Sequence, residues 1–75
     1  MDHGTVDTLF HPYILCFRLD GKAQCETIKR YGVEPPRASL IQAGQDYARV
    51  MKKGRGAIEF WYEGEDHARF SEPYP

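Results

Sequence analysis

The sequence predicts an α+β fold, with a four-stranded antiparallel sheet and one amphipathic helix packed on one of its faces. Apolar and polar side chains alternate in two pairs of short segments, and a turn signal containing Asp and Gly joins each pair. Between the two pairs, apolar side chains recur at helical spacing. The expected element order is therefore ββαββ, two hairpins joined by one helix.

The first hairpin is expected in residues 8–19 and 22–31, joined by an Asp-Gly pair at 20–21. Two loop lengths fit these turn residues, so two registers are open. A two-residue loop would place Cys16 directly opposite Cys25 and would mix apolar with polar side chains on each face. A one-residue slip moves every side chain to the other face, so the consistency of the faces is the criterion that decides.

A three-residue loop, with the glycine at the left-handed position, groups the side chains more consistently, and this is the register that we predict. Cys25 then shares the core face with Leu15 and Phe17, whereas Glu26 shares the opposite face with Cys16. This register predicts a buried Cys25 and no disulfide between the two cysteines.

The helix is expected to begin between residues 36 and 40, because a Pro-Pro pair suits the first turn and a Ser-x-x-Gln capping box follows it. Its apolar stripe consists of Leu40, Ala43, Gly44, Tyr47, Val50 and Met51. Lys52 and Lys53 suit the last turn, where positive charge complements the helix dipole. Gly54 is the expected C-cap.

The second hairpin is expected in residues 57–63 and 67–71, joined by a three-residue loop. Its core face consists of Ile58, Phe60, Tyr62, Ala68 and Phe70, with Phe60 opposite Phe70 and Tyr62 opposite Ala68. Successive strand residues point to opposite faces, so Trp61 should point away from the helix and lie opposite Arg69.

Trp61 is the first candidate contact residue, because Trp and Arg are the types most enriched in binding hot spots. The other candidates for contact with a partner protein on this face are Ile14, Arg18, Glu59, Glu63 and Arg69. Two structural interpretations stay open beside this one. Trp61 and Arg69 would form an intramolecular cation–π pair, or one of the tails would cover the indole.

Charge is distributed unevenly, although the net charge is −1. Residues 18–55 hold nine Lys or Arg against four Asp or Glu, and residues 56–75 hold one against five. The candidates for contact with nucleic acid or an acidic partner are Arg49, Lys52, Lys53 and Arg55, at the end of the helix. Helix-dipole complementation is the favoured explanation for this set, because a pI of about 6.3 is low for a nucleic-acid-binding domain.

The 75 residues fit one small domain, with loosely ordered tails expected at residues 1–7 and 72–75. So short a chain buries little apolar surface, and homodimerisation is a common way to bury more. The sequence shows neither a signal peptide nor an apolar run long enough to span a membrane. We therefore expect a cytoplasmic protein with reduced thiols.

The spacing of reactive residues indicates no catalytic or metal-binding motif. The residues in question are His3, His11, His67, Cys16 and Cys25, which form no Cys-x-x-Cys or His-x-x-x-His pattern. Neither cysteine has an evident base beside it, and so short a chain has little room for a closed pocket. We expect no enzyme activity, no metal site and no cofactor.

These observations favour a small, soluble, non-enzymatic protein that binds a larger protein or nucleoprotein complex. The contact would involve the Trp61 face, a sheet edge or the charged ends of the molecule. In size and lack of catalytic chemistry the chain is similar to small bacterial or phage accessory proteins, including inhibitors such as anti-CRISPR proteins. This similarity is one of type, without a shared motif. The alternative is a nucleic-acid-binding protein that uses the basic end of the helix.

Overall fold

The computed structural model describes residues 10–75. In this part of the chain, the elements are β1 (Tyr13–Leu19), β2 (Cys25–Tyr31), α1 (Arg37–Met51), β3 (Gly56–Tyr62) and β4 (Phe70–Tyr74). The strands form one antiparallel sheet in the order β2-β1-β3-β4, and α1 packs on one face of it. The predicted α+β fold class and the order ββαββ are confirmed.

The core lies between α1 and the sheet. Among the described residues, its fully buried members are Leu15, Phe17, Leu40, Ala48, Ile58 and Phe60. Burying a large apolar side chain contributes about 1.5–3 kcal/mol, so these side chains hold the two layers together. The intervening residues lie on the outer face, the side of the sheet turned away from α1, which carries Ile14, Cys16, Arg18, Glu59 and Trp61.

Aromatic side chains extend the core toward both ends of the sheet. Tyr13 stacks on Phe60 with ring centroids 5.8 Å apart, and Phe70 stacks on the same ring at 5.9 Å. Tyr74 meets Phe17 edge-on, with ring centroids 6.0 Å apart. Residues 72–74, which the sequence placed in a loose tail, therefore belong to β4 and pack on the core.

The predicted register of the first hairpin is wrong. The Asp-Gly turn forms with Gly21 at a φ of 79°, but the connection extends to residue 24, and Arg18 pairs with Cys25. Phe17 pairs with Glu26, and a bulge follows between Leu15 and Cys16 of β1. Cys25 therefore lies on the outer face instead of in the core.

Polar contacts with α1 and with Lys53, just beyond its end, explain this register. Tyr47 Oη donates a hydrogen bond to Glu26 Oε1, and Lys53 Nζ lies 2.9 Å from Glu26 Oε2. Both contacts require Glu26 to lie on the helix side, the reverse of the prediction. β2 is an edge strand with few apolar side chains, so grouping its apolar residues on one face gains little free energy. The long-range contacts of Glu26 therefore decide the register.

The predicted register of the second hairpin is confirmed, with Phe60 paired to Phe70, but its boundaries differ. Pairing stops at these residues, and the connection runs from Glu63 to Arg69. The expected pairs beyond this point, Tyr62 with Ala68 and Trp61 with Arg69, are not strand pairs. A turn at Gly64, where φ is 93°, and an ion pair between Glu65 and Arg69 hold the longer loop.

The helix begins at Arg37 and ends at Met51, within the expected range at its start. Its predicted C-cap is wrong: Lys52, in the left-handed conformation with a φ of 54°, is the C-cap instead of Gly54, and Lys53 N–H bonds to the Ala48 carbonyl. The apolar stripe of the helix is also shorter than predicted, because Val50 and Met51 are exposed. No helix within residues 10–75 has the length and apolar character needed to cross a membrane.

Gly44 provides a test of the packing between α1 and β3. A Cβ added at Gly44 would lie 2.6–2.7 Å from three side-chain carbons of Ile58. Alanine favours a helix over glycine by about 1 kcal/mol, but overpacking a core costs about 1–3 kcal/mol. We expect Gly44→Ala to lower the free energy of unfolding, measured by urea denaturation.

The matched background is Ile58→Ala, which removes all three carbons. In that background we expect Gly44→Ala to raise the free energy of unfolding by up to about 1 kcal/mol, because only the helix propensity remains. The same sign of the effect in both backgrounds would contradict the proposed contact.

Candidate functional site

Trp61 lies on the outer face, as the alternation along β3 predicts, and pairs with Ile14 of β1. The indole is half-buried, and its Nε1–H donates a hydrogen bond to Glu59 Oε1 at 3.1 Å. Glu59 stands two residues earlier on the same strand, so both side chains point to the same face. This hydrogen bond fixes the orientation of the indole ring.

Glu59 is the centre of a hydrogen-bonded cluster on the outer face. Arg18 forms a bidentate pair with it, with Nε 3.0 Å from Oε2 and Nη2 3.0 Å from Oε1. Cys25 Sγ–H donates to Oε1 at 3.2 Å. The carboxylate side chain is only 12% exposed, and it connects β1, β2 and β3. Arg18 also donates to the Ala23 carbonyl, which ties the first hairpin loop to the same cluster.

The hydrogen bonds from Arg18 lower the pKa of Glu59, and those from Cys25 and Trp61 act in the same direction. Glu59 is therefore a carboxylate at neutral pH, even though partial burial opposes its charge. A buried charge needs compensation, and here the guanidinium supplies it at hydrogen-bond distance.

The structure brings together two cysteines that lie nine residues apart in the sequence. Cys16 is 3% exposed, Cys25 is half-buried, and both are free thiols. Burial raises the pKa of both thiols. The two Sγ atoms and one Glu59 oxygen all lie within 4.8 Å of one another. Sequence reasoning missed this group because the predicted register placed Cys25 on the other face.

A groove of about 200 Å³ opens beside the indole. Ile14, Trp61 and Tyr62 give it apolar walls, and Glu63 and Glu65 line one end. A second depression, of about 670 Å³, lies along β2, but the Glu26 carboxylate that lines it is already bound by Tyr47 and Lys53. The groove beside Trp61 is therefore the better candidate for binding an apolar group.

The predicted pair of Trp61 and Arg69 is not formed, which is a correction to the sequence analysis. Arg69 binds Glu65 through two hydrogen bonds of 3.1 and 3.2 Å, and its guanidinium lies 5.0 Å from the centroid of the Tyr62 ring. It reaches these partners because it precedes β4 and lies in the loop. Glu63, the other candidate near this loop, forms an ion pair with Arg30, with Oε1 3.4 Å from Nη1.

The basic candidates at the end of α1 do not form one continuous patch of available charge. Arg49 pairs with Asp46, and Lys53 pairs with Glu26. Among the ion pairs within the described residues, none involves Lys52 or Arg55. Half of the predicted set thus stabilises the fold, and the charge left for a phosphate backbone is small.

No protein-family model, curated protein or solved structure matches this chain. Function is therefore inferred from the outer face itself. Its features are an oriented indole, an apolar groove with an acidic end, and a carboxylate that lies next to two thiols.

We expect Glu59→Gln to lower the free energy of unfolding at pH 7 by about 1–3 kcal/mol, because Arg18 loses its charged partner. The pKa of Glu59 is lowered by folding, so its contribution is fully present above the unfolded pKa of about 4.3. That contribution is lost as the pH falls through the lower folded pKa. Urea denaturation between pH 7 and pH 3 should show a weaker acid dependence in the variant.

Glu72→Gln is the matched control, because Glu72 forms a more exposed ion pair with Arg37. Exposed pairs contribute about 0–1 kcal/mol, so this variant should stay close to the wild type at pH 7. If Glu59→Gln and Glu72→Gln lower the free energy of unfolding equally, the outer-face cluster stabilises the fold no more than an exposed ion pair does.

Proposed function

We propose that this chain is a small, non-enzymatic protein-interaction module that binds a larger protein or nucleoprotein complex through its outer face. The observation that carries the proposal is the half-buried indole of Trp61, which Glu59 holds beside an apolar groove. Helix α1 covers only the other face of the sheet. Binding at the outer face would give the sheet a second covering layer.

An oriented Trp suits a binding hot spot for a physical reason. Its ring offers a large apolar area, and the hydrogen bond to Glu59 means that little freedom is lost when a partner packs against it. Ile14 lies beside it on the neighbouring strand and extends the apolar surface. Trp61 and Ile14 are thus the proposed centre of the contact, with Arg18 and Glu59 next to them.

The charge around the groove indicates the chemistry of the partner. Glu63 and Glu65 line the groove. Glu65 is paired with Arg69, whereas Glu63 meets Arg30 at 3.4 Å in an exposed ion pair that a cation of the partner could replace. A complementary segment would insert an apolar side chain beside Trp61 and place a Lys or Arg near Glu63. Opposite charges across an interface raise the association rate and favour one orientation of the partner.

The sheet edges are less suited to the contact. Edge strand β4 contains Pro73, which has no N–H to donate to an added strand, and edge strand β2 carries the bulged register and exposed basic side chains. In natural proteins, features of this kind prevent another chain from pairing with the edge of a sheet. They favour the outer face over strand addition as the binding surface.

The non-enzymatic part of the proposal rests on the thiols. Burial raises the pKa of Cys16 and of Cys25, and the acidic Glu59 is a weak base for either thiol. Such cysteines are poor nucleophiles at neutral pH. A role as an accessory or inhibitor protein in the cytoplasm, homodimerisation and nucleic-acid binding all stay predictions.

We expect Trp61→Ala to weaken binding of the partner by about thirtyfold or more, as for a hot-spot residue. A photo-reactive amino acid at position 14 would cross-link the partner in native host cells, and mass spectrometry would identify it. The affinity of the purified partner for the wild type and the variant would then be measured by calorimetry.

Val50→Ala is the matched control, because Val50 is an exposed apolar residue on α1, away from the outer face. It should leave affinity unchanged, and thermal unfolding should show that both variants fold. Equal losses of affinity in the two variants would contradict the proposed surface. If nuclease treatment abolishes capture, nucleic acid is the partner instead.

A further inference from the structure

We propose that Cys16, Cys25 and Glu59 bind a thiophilic divalent metal ion of the zinc class on the outer face. The three ligand atoms come from three neighbouring strands, β1, β2 and β3, and all lie within 4.8 Å of one another. This inference is independent of the proposed protein contact, because the isolated chain supplies every ligand.

The distances suit a tetrahedral ion. Zinc binds thiolate sulfur at about 2.3 Å and carboxylate oxygen at about 2.0–2.2 Å, which places the ligand atoms about 3.5–3.8 Å from one another. Cys25 Sγ already lies 3.2 Å from Glu59 Oε1. The ligand atoms lie within 4.8 Å of one another, so no pair needs to approach by more than about 1.3 Å, which side-chain rotation can supply without strand displacement.

The charges also balance. Two neutral thiols, the Glu59 carboxylate and the Arg18 guanidinium sum to zero. When one divalent ion binds, each thiol releases one proton to solvent, and the new metal–sulfur bonds replace the two S–H bonds. The group of two thiolates, one carboxylate, one guanidinium and one ion again sums to zero. This balance favours a divalent ion over a monovalent one, because a partly buried group resists net charge.

Neighbouring side chains hold the carboxylate ligand in place. Arg18 binds both oxygens, with Nε on Oε2 and Nη2 on Oε1, and Trp61 Nε1–H also binds Oε1, so the carboxylate beside the thiols has a fixed direction. Outer hydrogen bonds of this kind orient metal ligands and typically change affinity 10–100-fold.

The groove beside Trp61 gives access to the site, since Cys16 and Cys25 both line it. Three protein ligands leave a fourth tetrahedral position for water or for a donor atom of a bound molecule. A disulfide fits less well. The register makes Cys16 and Cys25 diagonal neighbours, with Cα atoms expected about 7–8 Å apart, beyond the usual disulfide range.

The test is titration of the reduced wild-type chain with Co²⁺ and Zn²⁺ in the presence of a phosphine reductant. We expect one Co²⁺ per chain, with an intense near-ultraviolet sulfur-to-cobalt charge-transfer band that Zn²⁺ removes. The fluorescence of Trp61, the single Trp in the sequence, should change in parallel. Bound Zn²⁺ should also slow alkylation of the two thiols by iodoacetamide in the native protein.

Cys25→Ser is the informative variant, because Cys25 is less buried than Cys16 and its replacement disturbs packing less. It should lower affinity for Zn²⁺ at least about tenfold and weaken the Co²⁺ band, with folding verified by circular dichroism. Glu72→Gln is the matched control, since Glu72 pairs with Arg37 outside both the groove and the ligand set, and the affinity of this variant for Zn²⁺ should stay unchanged.

Three results would overturn the proposal: no charge-transfer band in the wild type, unchanged affinity in Cys25→Ser, or one ion shared by two chains. Loss of partner binding in Ile14→Ala, which leaves the hydrogen bond from Trp61 to Glu59 in place, together with intact metal binding would support both proposals independently. If the chain binds the metal but no partner protein, only the proposed protein-interaction function is contradicted, and the metal site stands.

Discussion

The pairing of β1 with β3 is the constraint on which the rest of the structure depends. It places Leu15 beside Phe60 and Phe17 beside Ile58, so that the central strands present one continuous apolar surface to α1. Because side chains alternate, the same register sets Cys16 against Glu59 on the outer face. A slip of one residue between β1 and β3 would therefore both expose the core side chains and separate the members of the outer-face cluster.

Glu59 extends this constraint to the edge strand. β2 contributes little apolar surface, so polar contacts hold it on both faces of the sheet. On the outer face, Cys25 donates to Glu59; on the helix side, Glu26 binds Tyr47 and Lys53. The position of β2 therefore depends on these polar groups as well as on Ile28 and Tyr31, which pack against the core.

The two proposals use one face but different atoms. The protein contact depends on the apolar surface of Trp61 and Ile14, whereas the metal site depends on the thiols and one oxygen of Glu59. The hydrogen bond from the indole to that oxygen joins them. A bound ion would thus act on the orientation of Trp61, which gives a physical route by which one ligand could alter the binding of the other.

The sequence by itself determined the element order, the register between Phe60 and Phe70 and the outward position of Trp61, because strong apolar alternation is a local property. Only the tertiary structure decided the face of Cys25 and the partner of Arg69. The alternation in β2 is weak, and the groups that fix Cys25 and Glu26 lie 34 and 21 residues away along the chain. Contacts at such separations leave no periodic signal in the sequence, so the cysteine and carboxylate cluster became visible only in the folded chain.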